Sequence, residues 1–233
     1  MPVLLLARGD QVSRSMLKQA IEARYGHSAP MIETTKIAMK GRSRVKLPFA
    51  STWMPIETTV YVKFPSAIRW DYVVRPVGLP VSSMSEAFDG STLRRTRMLR
   101  SPEVNTDTGL LHSLRSRLWS MAVMLLTPLS DPAIQVRRLN DTTLAVENTE
   151  TEIRVNLMLN EDMTVKQIAT VCYNPLTERE QVYCLRSTNG QEMINGLMFP
   201  RQIDVLWDDE LDLEMTPVSI ETNPVLEDSF FRI

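Results

Sequence analysis

Most of this chain alternates apolar and polar residues with a period of two, and no other feature narrows its fold so far. Within Ile68–Tyr72 three apolar residues alternate with two charged ones, and Glu152–Leu159 repeats the pattern. Successive side chains of a strand point to opposite sides, so this alternation predicts strands with one buried face, which is typical of an antiparallel sheet. Further strands are predicted at Ile32–Lys40, Thr142–Glu147, Val165–Tyr173, Gln181–Ser187, Gln202–Trp207 and Leu211–Ile220.

The connections between these strands are short enough for hairpins. They comprise Asn160–Asp162, Asn174–Glu180, Asn189–Gly190 and Asp208–Glu210, in which residues that favour turns predominate. The chain shows no internal repeat or linker, and its 233 residues suit one hydrophobic core. The sequence therefore predicts a single domain over residues 1–233, with residues 1–9 as a poorly ordered N-terminal segment.

Two segments have the apolar spacing of helices. The first spans Gln11–Tyr25, begins after Asp10, a favourable N-cap, and ends before a glycine. The second spans 109–126 behind Asp107 or Thr108. Its apolar face comprises Leu110, Leu111, Leu114, Leu118, Met121, Ala122 and Leu125, and its other face comprises His112, Ser113, Ser116, Arg117 and Ser120. The predicted fold class is mainly β (α+β), an antiparallel sheet with helices covering one face.

Few residues could carry chemistry. The chain has two histidines and two cysteines, and neither His27 nor His112 has a nucleophile or carboxylate at a recognisable spacing. It contains no glycine-rich phosphate loop, Gly-x-Ser-x-Gly elbow or His-Glu-x-x-His motif. We therefore expect no enzyme, no metal site and no cofactor. The longest strongly apolar run, Trp119–Leu129, is shorter than the roughly 20 residues that cross a bilayer, so we expect peripheral membrane contact at most.

The small net charge of −2 conceals an asymmetry. Residues 1–118 carry 18 Lys/Arg against 9 Asp/Glu, whereas residues 119–233 carry 8 against 19. One interpretation is that the two halves compensate each other within one fold. The other is a basic surface at Arg94, Arg95, Arg97 and Arg100 that binds an anionic partner. Nucleic acid does not suit that surface, because the acidic half would repel phosphates and the basic stretch has no interleaved aromatic residues.

Cys172 and Cys184 flank the predicted turn at Asn174–Glu180. A register symmetric about residue 178 would place the two cysteines directly opposite each other on paired strands, within reach of a disulfide. A bridge would imply an oxidising compartment, and two reduced, buried thiols are the alternative. The spacing leaves both open.

Several segments in order resemble one known family. Thr59–Tyr72 has the sequence Thr-Val-Tyr-Val-Lys-Phe-Pro-Ser-Ala-Ile-Arg-Trp-Asp-Tyr, and an Asp-Gly turn follows at Asp89–Gly90. An amphipathic helix precedes the first strand, and a leucine-rich helix ends in Leu-Leu-Thr-Pro-Leu at Leu125–Leu129. In their order and spacing, from about residue 11 to 230, these segments resemble the lipoprotein-localisation (LolA/LolB-like) family of lipoprotein-sorting proteins.

The resemblance implies a half-open antiparallel β-barrel, or curved sheet, whose concave face is covered by two or more helices. It implies a non-catalytic periplasmic carrier that holds lipid or lipoprotein acyl chains in an apolar cavity. A cytoplasmic location stays open, because this sequence begins without a signal peptide. Together with the alternation, the resemblance predicts a ligand-binding cavity lined by Val60, Val62, Ile68, Trp70, Tyr72, Ile153, Val155 and Leu157 and lidded by Leu118, Trp119, Met121 and Leu125.

Two departures from the family pattern suggest an alternative function. Phe64 stands where the carrier has an arginine that helps to close its helical lid. After Asp89–Gly90, where the carrier continues with an aromatic strand, this chain has the basic stretch Arg94–Arg100. The alternative is an envelope sensor or protein-interaction domain on the same scaffold, which would bind a protein partner through this stretch.

Overall fold

The computed structural model describes residues 7–26, 30–46, 51–75, 82–98, 100–127, 129 and 131–233. These residues form two α-helices, α1 (Gln11–Tyr25) and α2 (Thr108–Leu125), and a 3-10 helix at Asp228–Phe231. The strands are β1 (Thr34–Lys46), β2 (Ser51–Lys63), β3 (Ala67–Val74), β4 (Ser82–Phe88), β5 (Leu93–Arg97), β6 (Glu103–Asn105), β7 (Ile134–Asn140), β8 (Thr143–Asn148), β9 (Ile153–Leu159), β10 (Val165–Asn174), β11 (Arg179–Ile194), β12 (Leu197–Trp207) and β13 (Glu210–Thr222).

All of these strands belong to one antiparallel sheet with the order β6-β5-β4-β3-β2-β1-β13-β12-β11-β10-β9-β8-β7. The sheet is curved and unclosed, since within the described residues no pairing joins its edge strands β6 and β7. Helix α2 follows β6 and precedes β7 in the chain, and it packs against β9, β10 and β11 on the concave face. The predicted fold class, a half-open curved antiparallel sheet covered by helices, is confirmed.

The alternation predicted from the sequence sets one continuous inward face. Ile37, Val60 and Trp70 lie side by side across β1, β2 and β3, and all three are at most 6% exposed. Near the β7 edge of the sheet, Leu144 of β8 and Leu157 of β9 are cross-strand partners and are fully buried. Burying such apolar side chains is the main stabilising contribution to a sheet of this kind, at roughly 25 cal/mol per Å².

The helices begin where the sequence predicts. The Asp10 carboxylate accepts a hydrogen bond from the Ser13 N–H at 2.7 Å, and the Asp107 carboxylate accepts one from the Leu110 N–H at 2.8 Å. Each side chain thereby satisfies an N–H group that the first helical turn leaves unpaired. The bounds of α1 agree with the prediction, and those of α2 differ from it by one residue.

Helix α2 is buried over most of its surface, and the serines on the face predicted to be polar are buried, whereas His112 on that face is exposed. Ser113, Ser116 and Ser120 are at most 1% exposed. The Ser113 hydroxyl donates to the Tyr173 carbonyl of β10 at 2.6 Å, and the Ser120 hydroxyl donates to the Ser116 carbonyl at 2.8 Å. Small side chains whose hydroxyls are satisfied allow the helix to lie close to the sheet, so this serine face is a packing surface.

The predicted hairpin at Asn189–Gly190 is wrong. Both residues have positive φ, but the β11–β12 pairing continues beyond them after a register shift, so they form a bulge within β11. The chain reverses instead at Asn195–Gly196, whose φ angles of 50° and 82° match a tight hairpin turn. Asparagine followed by glycine tolerates left-handed backbone in either setting, and the dipeptide alone does not distinguish them.

Basic residues of the first half of the chain pair with acidic residues of the second half where β1 lies beside β13. Lys36 faces Glu221 with its Nζ 3.8 Å from a carboxylate oxygen, and Arg44 lies 3.3 Å from Glu210. Arg42 pairs with Glu214 in the same ladder. The basic first half and acidic second half are thus partly matched within the fold, as the first interpretation of the charge pattern expects.

The predicted poorly ordered segment 1–9 lies outside the described residues as far as residue 6. From Ala7 onward the structure describes a chain that packs against β7. Arg8 forms a parallel bridge with Gln135, and its N–H donates to the Ile134 carbonyl at 2.7 Å. Ala7 is 2% exposed, so this end of the segment belongs to the core.

Candidate ligand-binding cavity

A cavity lies on the concave face between α2 and the strands in the middle of the sheet. Four of its lining residues belong to α2, and the rest belong to β1, β2, β3, β11, β12 and β13. The lining residues are Ile37, Met39, Ile56, Thr58, Val60, Trp70, Tyr72, Arg117, Met121, Met124, Leu125, Tyr183, Leu185, Phe199, Ile203, Val205, Leu213 and Met215. Most of these side chains are apolar, so the cavity suits an apolar ligand.

The cavity is partly open to solvent, and its free interior is small. The space between its lining atoms is about 780 Å³ when counted to the mouth, whereas the free lumen is about 90 Å³. Met39, Met121, Met124 and Met215 line it, and methionine is unbranched and adapts to irregular spaces. Rotation of these side chains would widen the lumen around a flexible guest without breaking a polar contact.

The end of α2 that forms one wall of the cavity is held by α1. The Arg24 guanidinium donates to the Met124 carbonyl and, at 3.0 Å, to the Met198 carbonyl of β12. The Tyr25 hydroxyl donates to the Leu125 carbonyl. The last carbonyls of a helix have no partner within the helix, so these contacts both satisfy α2 and fix its position over the sheet.

The structure divides the predicted cavity residues into two groups. Val60, Trp70, Tyr72, Met121 and Leu125 line the cavity. The others pack in solid core: Val62, Ile68 and Leu118 beneath the first half of α2, and Trp119, Ile153, Val155 and Leu157 between α2, α1 and strands β7–β10. The alternation identified the inward face correctly, but α2 lies directly on part of that face and leaves no space there.

The cavity contains one group of polar side chains, the polar corner, formed by Thr58, Tyr72, Arg117 and Tyr183. Thr58 and Tyr72 are cross-strand partners. The Arg117 guanidinium lies over the rings of Trp70 and Tyr183, at 5.2 and 5.4 Å from the ring centroids. Such cation–π contacts stabilise a buried cation in part.

The polar corner affects the protonation of its members. Burial raises the pKa of the Tyr72 and Tyr183 hydroxyls, so both are protonated at neutral pH. Burial alone would lower the pKa of Arg117, but Tyr183, Tyr72 and Glu86 raise it above its ordinary value. The cavity therefore presents one permanent positive charge beside neutral hydroxyl groups.

Sequence reasoning missed Arg117 and Tyr183 as cavity residues. Arg117 was placed on the polar face of α2, and Tyr183 lies in a strand whose inward positions were not assigned. The sequence contains no signal for Arg117, because the serines beside it indicate a polar helix face and their burial depends on how closely α2 approaches the sheet.

The predicted basic surface on β5 is largely neutralised within the protein. Arg94 lies 2.7 Å from the Asp89 carboxylate, Arg95 pairs with Glu86, and Arg97 lies 3.3 Å from Glu103. Arg100 is exposed. Because intramolecular carboxylates occupy three of the four guanidinium groups, the strand offers an anionic partner much less free charge than the sequence suggested.

Of the two arrangements left open for Cys172 and Cys184, the facing pair is not the one that the structure shows. Cys172 lies opposite Gln181, and Cys184 lies opposite Ala169. The register differs from the predicted one by three residues along β11, so the two side chains point to opposite faces of the sheet. Both thiols are free and buried, and burial raises the pKa of Cys184 to about 12. The structure supports the alternative of two reduced thiols.

The described part of the chain contains no group of three His, Cys, Asp or Glu side chains placed to hold a metal ion. Among the same residues, no helix combines the length and the apolar character needed to cross a bilayer.

Comparison with known proteins gives structural matches only. No family model and no curated protein matches the chain. A LolA superfamily protein from Nitrosomonas europaea matches with a TM-score of 0.49 and 15% identity, covering 94% of this chain and 96% of that chain. A DUF1329 family protein from Desulfovibrio piger matches with a TM-score of 0.49 and 11% identity, at the same coverage. A domain assigned as an outer membrane lipoprotein-sorting protein from Vibrio parahaemolyticus matches with a TM-score of 0.46 and 8% identity, covering 94% of this chain and 97% of that chain.

Proposed function

We propose that this protein is a non-catalytic carrier that holds a lipid acyl chain, free or attached to a lipoprotein, in the cavity beneath α2. The observation that carries the proposal is the cavity itself, with its apolar lining from six strands and α2. An acyl chain has no directional polar groups, so an apolar and deformable groove is what it requires.

The lining matches the energetics of acyl binding. Each methylene that leaves water contributes roughly 0.8 kcal/mol, and ordering of the chain and of the methionine side chains offsets part of this gain. The free lumen of about 90 Å³ is small for a long chain. Binding therefore requires movement of Met39, Met121, Met124 and Met215, which border it.

The groups around the cavity are poorly suited to catalysis. Burial raises the pKa of the Cys172 thiol, although the charge of Arg117 acts to lower it. The thiol therefore stays protonated, and the thiolate is the nucleophilic form. Tyr72 and Tyr183 are held neutral. These groups favour binding without covalent chemistry.

The sequence resemblance supports a periplasmic location and a part in lipoprotein sorting. A carrier of this kind would exchange its ligand with membrane proteins or membrane surfaces through peripheral contact. The cavity opens to solvent at its mouth, which gives a chain a route in and out.

Binding of a fluorescent fatty acid to delipidated protein tests the proposal. Val60 lines the cavity and is 2% exposed, whereas Val171 on β10 is 61% exposed. We expect Val60→Phe, which fills the lumen, to weaken binding at least tenfold, and we expect the matched control Val171→Phe to bind as the unaltered protein does. Leu213→Trp, at a partly exposed lining position, provides a second cavity-filling variant if Val60→Phe fails to fold.

The outcomes are distinct. No binding by the unaltered protein, or equal binding by all variants that fold, would overturn the proposal. Native mass spectrometry of protein purified from its own host provides an independent readout, and we expect a co-purified species with the mass of a lipid.

A further inference from the structure

The polar corner leaves a positive charge in the cavity without a matching negative charge. Within the described residues no ion pair joins Arg117 to a carboxylate, and its Nε is enclosed and has no hydrogen-bond partner. The buried Thr58 hydroxyl also has no partner. One enclosed nitrogen of the guanidinium and one enclosed hydroxyl, both on residues that line the same cavity, are thus unsatisfied.

The neighbouring acidic residue is already engaged. Glu86 acts on Arg117 through its charge, but its carboxylate accepts a hydrogen bond from Arg95, its cross-strand partner on β5. A carboxylate that is bound to one guanidinium neutralises a second one only weakly. Arg117 therefore remains the cation of the cavity.

An arrangement of this kind is unfavourable for the empty protein. Leaving a buried polar group unpaired costs free energy, and the cost is larger for a charged group. The rings of Trp70 and Tyr183, at 5.2 and 5.4 Å, offset part of the cost for Arg117. A ligand that brings an anion to the guanidinium would remove most of the remainder.

We propose that Arg117 binds the carboxylate of a fatty-acid-like ligand whose acyl chain occupies the apolar part of the cavity. This inference rests on the proposed function and adds the chemistry of the ligand's head group. A guanidinium presents parallel N–H donors that match a carboxylate in a two-bond arrangement. The hydroxyl groups of Thr58, Tyr72 and Tyr183 supply further donors in the same wall. A single carboxylate is also the smallest lipid head group that matches a guanidinium in this way, and the lumen is narrow.

A comparison of palmitate with hexadecanol distinguishes the contribution of the head group to affinity from that of the chain. The two ligands share a 16-carbon chain and differ in charge. Displacement of a neutral fluorescent probe, N-phenyl-1-naphthylamine, measures both affinities on the same protein. We expect the unaltered protein to prefer palmitate at least tenfold, which corresponds to about 1.4 kcal/mol. In Arg117→Met, a change to an apolar side chain of similar length, we expect palmitate to lose this advantage and hexadecanol to keep its affinity.

Arg115→Met is the matched control. Arg115 lies on the same helix and donates to the Gly90 carbonyl at 2.8 Å, and it is not among the residues that line the cavity. We expect this variant to retain the preference for palmitate. If Arg117→Met does not fold, Arg117→Lys keeps the charge but cannot form two parallel bonds, and we expect an intermediate preference.

The results separate the two proposals. If neither palmitate nor hexadecanol displaces the probe, the proposed function itself fails. If both bind equally well to the unaltered protein, or if Arg117→Met changes nothing, the function stands and the assignment of the head group is overturned. Hexadecyl phosphate completes the set: tighter binding than palmitate that is lost in Arg117→Met would assign a phosphate head group and overturn the carboxylate.

Discussion

The two sides of α2 show how one inward apolar face gives both a solid core and a cavity. Towards β8–β10 the interior is filled, and Leu144, Leu157 and Ile168 are fully buried. Towards β1, β2, β12 and β13 the same alternation lines open space, with Met39 and Met215 among its residues. Alternation therefore marks which face is inward, and the position of the helix decides where that face is filled.

The side chains of the two regions suit these different roles. Branched side chains have few rotamers and pack tightly, and they predominate on the filled side. Methionine is common on the cavity side, and Arg117 is placed where α2 meets the open space. We infer that the filled side stabilises the fold and that the cavity side is able to adapt.

Truncation of the filled side should give the largest effect. Leu157→Ala leaves a void in a region with no space to spare, and we expect a loss of about 2–5 kcal/mol in the free energy of unfolding. Urea denaturation measures it. The matched control is Leu139→Ala at a position that is 46% exposed, for which we expect a change within about 0.5 kcal/mol. Equal losses in the two variants would contradict the comparison.

The contact of α2 with β10 is the next most sensitive feature. Ser120 is fully buried, and Ser120→Leu adds two heavy atoms to a side chain that has no free space around it. We expect a loss of about 1–3 kcal/mol from overpacking, measured by thermal or urea unfolding. Ser120→Ala should cost less, because it only removes the hydroxyl that bonds the Ser116 carbonyl. A neutral Ser120→Leu variant would show that the helix has room to move.

Acid should weaken the turn at Asp89–Gly90 between β4 and β5. This turn contacts α2, because Arg115 donates a hydrogen bond to the Gly90 carbonyl. Hydrogen bonds from Arg94, Ser91 and Thr92 outweigh burial and lower the pKa of Asp89 from 3.8 to about 2. A lowered pKa contributes stability above pH 3.8, and this contribution is lost as the pH falls towards 2. We expect Asp89→Asn to cost about 1–2 kcal/mol at neutral pH, and the difference from the unaltered protein should shrink between pH 4 and pH 2. A difference that is constant over this range would contradict the assignment.

Truncation on the cavity side should give the smallest effect. Met121 already borders open space, so Met121→Ala removes fewer contacts than a change in solid core does. We expect a loss of about 1 kcal/mol in urea denaturation, with palmitate binding retained. A loss as large as that of Leu157→Ala would show that the two sides of α2 are packed alike.

Features fixed by short stretches of sequence could be predicted. Asp10 and Asp107 mark the starts of the helices, and the alternation in Ile153–Leu159 marks its inward face, because caps and strand alternation depend on neighbouring residues alone. The antiparallel sheet follows from many such stretches, whereas its half-open, curved form was implied by the resemblance to the LolA/LolB-like family.

Features that depend on distant partners could not be predicted. The register that separates Cys172 from Cys184 is set by the whole of β10 and β11, and the burial of Ser120 depends on how closely α2 approaches β10. Arg117 was assigned to a polar face for the same reason, since its enclosure requires strands β3 and β11 around it.

Methionine methyl groups offer the most direct test of the central claim that an acyl chain binds in this cavity. In NMR spectra of protein labelled with ¹³C-methyl methionine, titration with palmitate should shift the signals of Met39, Met121, Met124 and Met215. The exposed Met98 and Met193 should not respond. Shifts confined to the exposed methionines, or no shifts at saturating palmitate, would contradict the account.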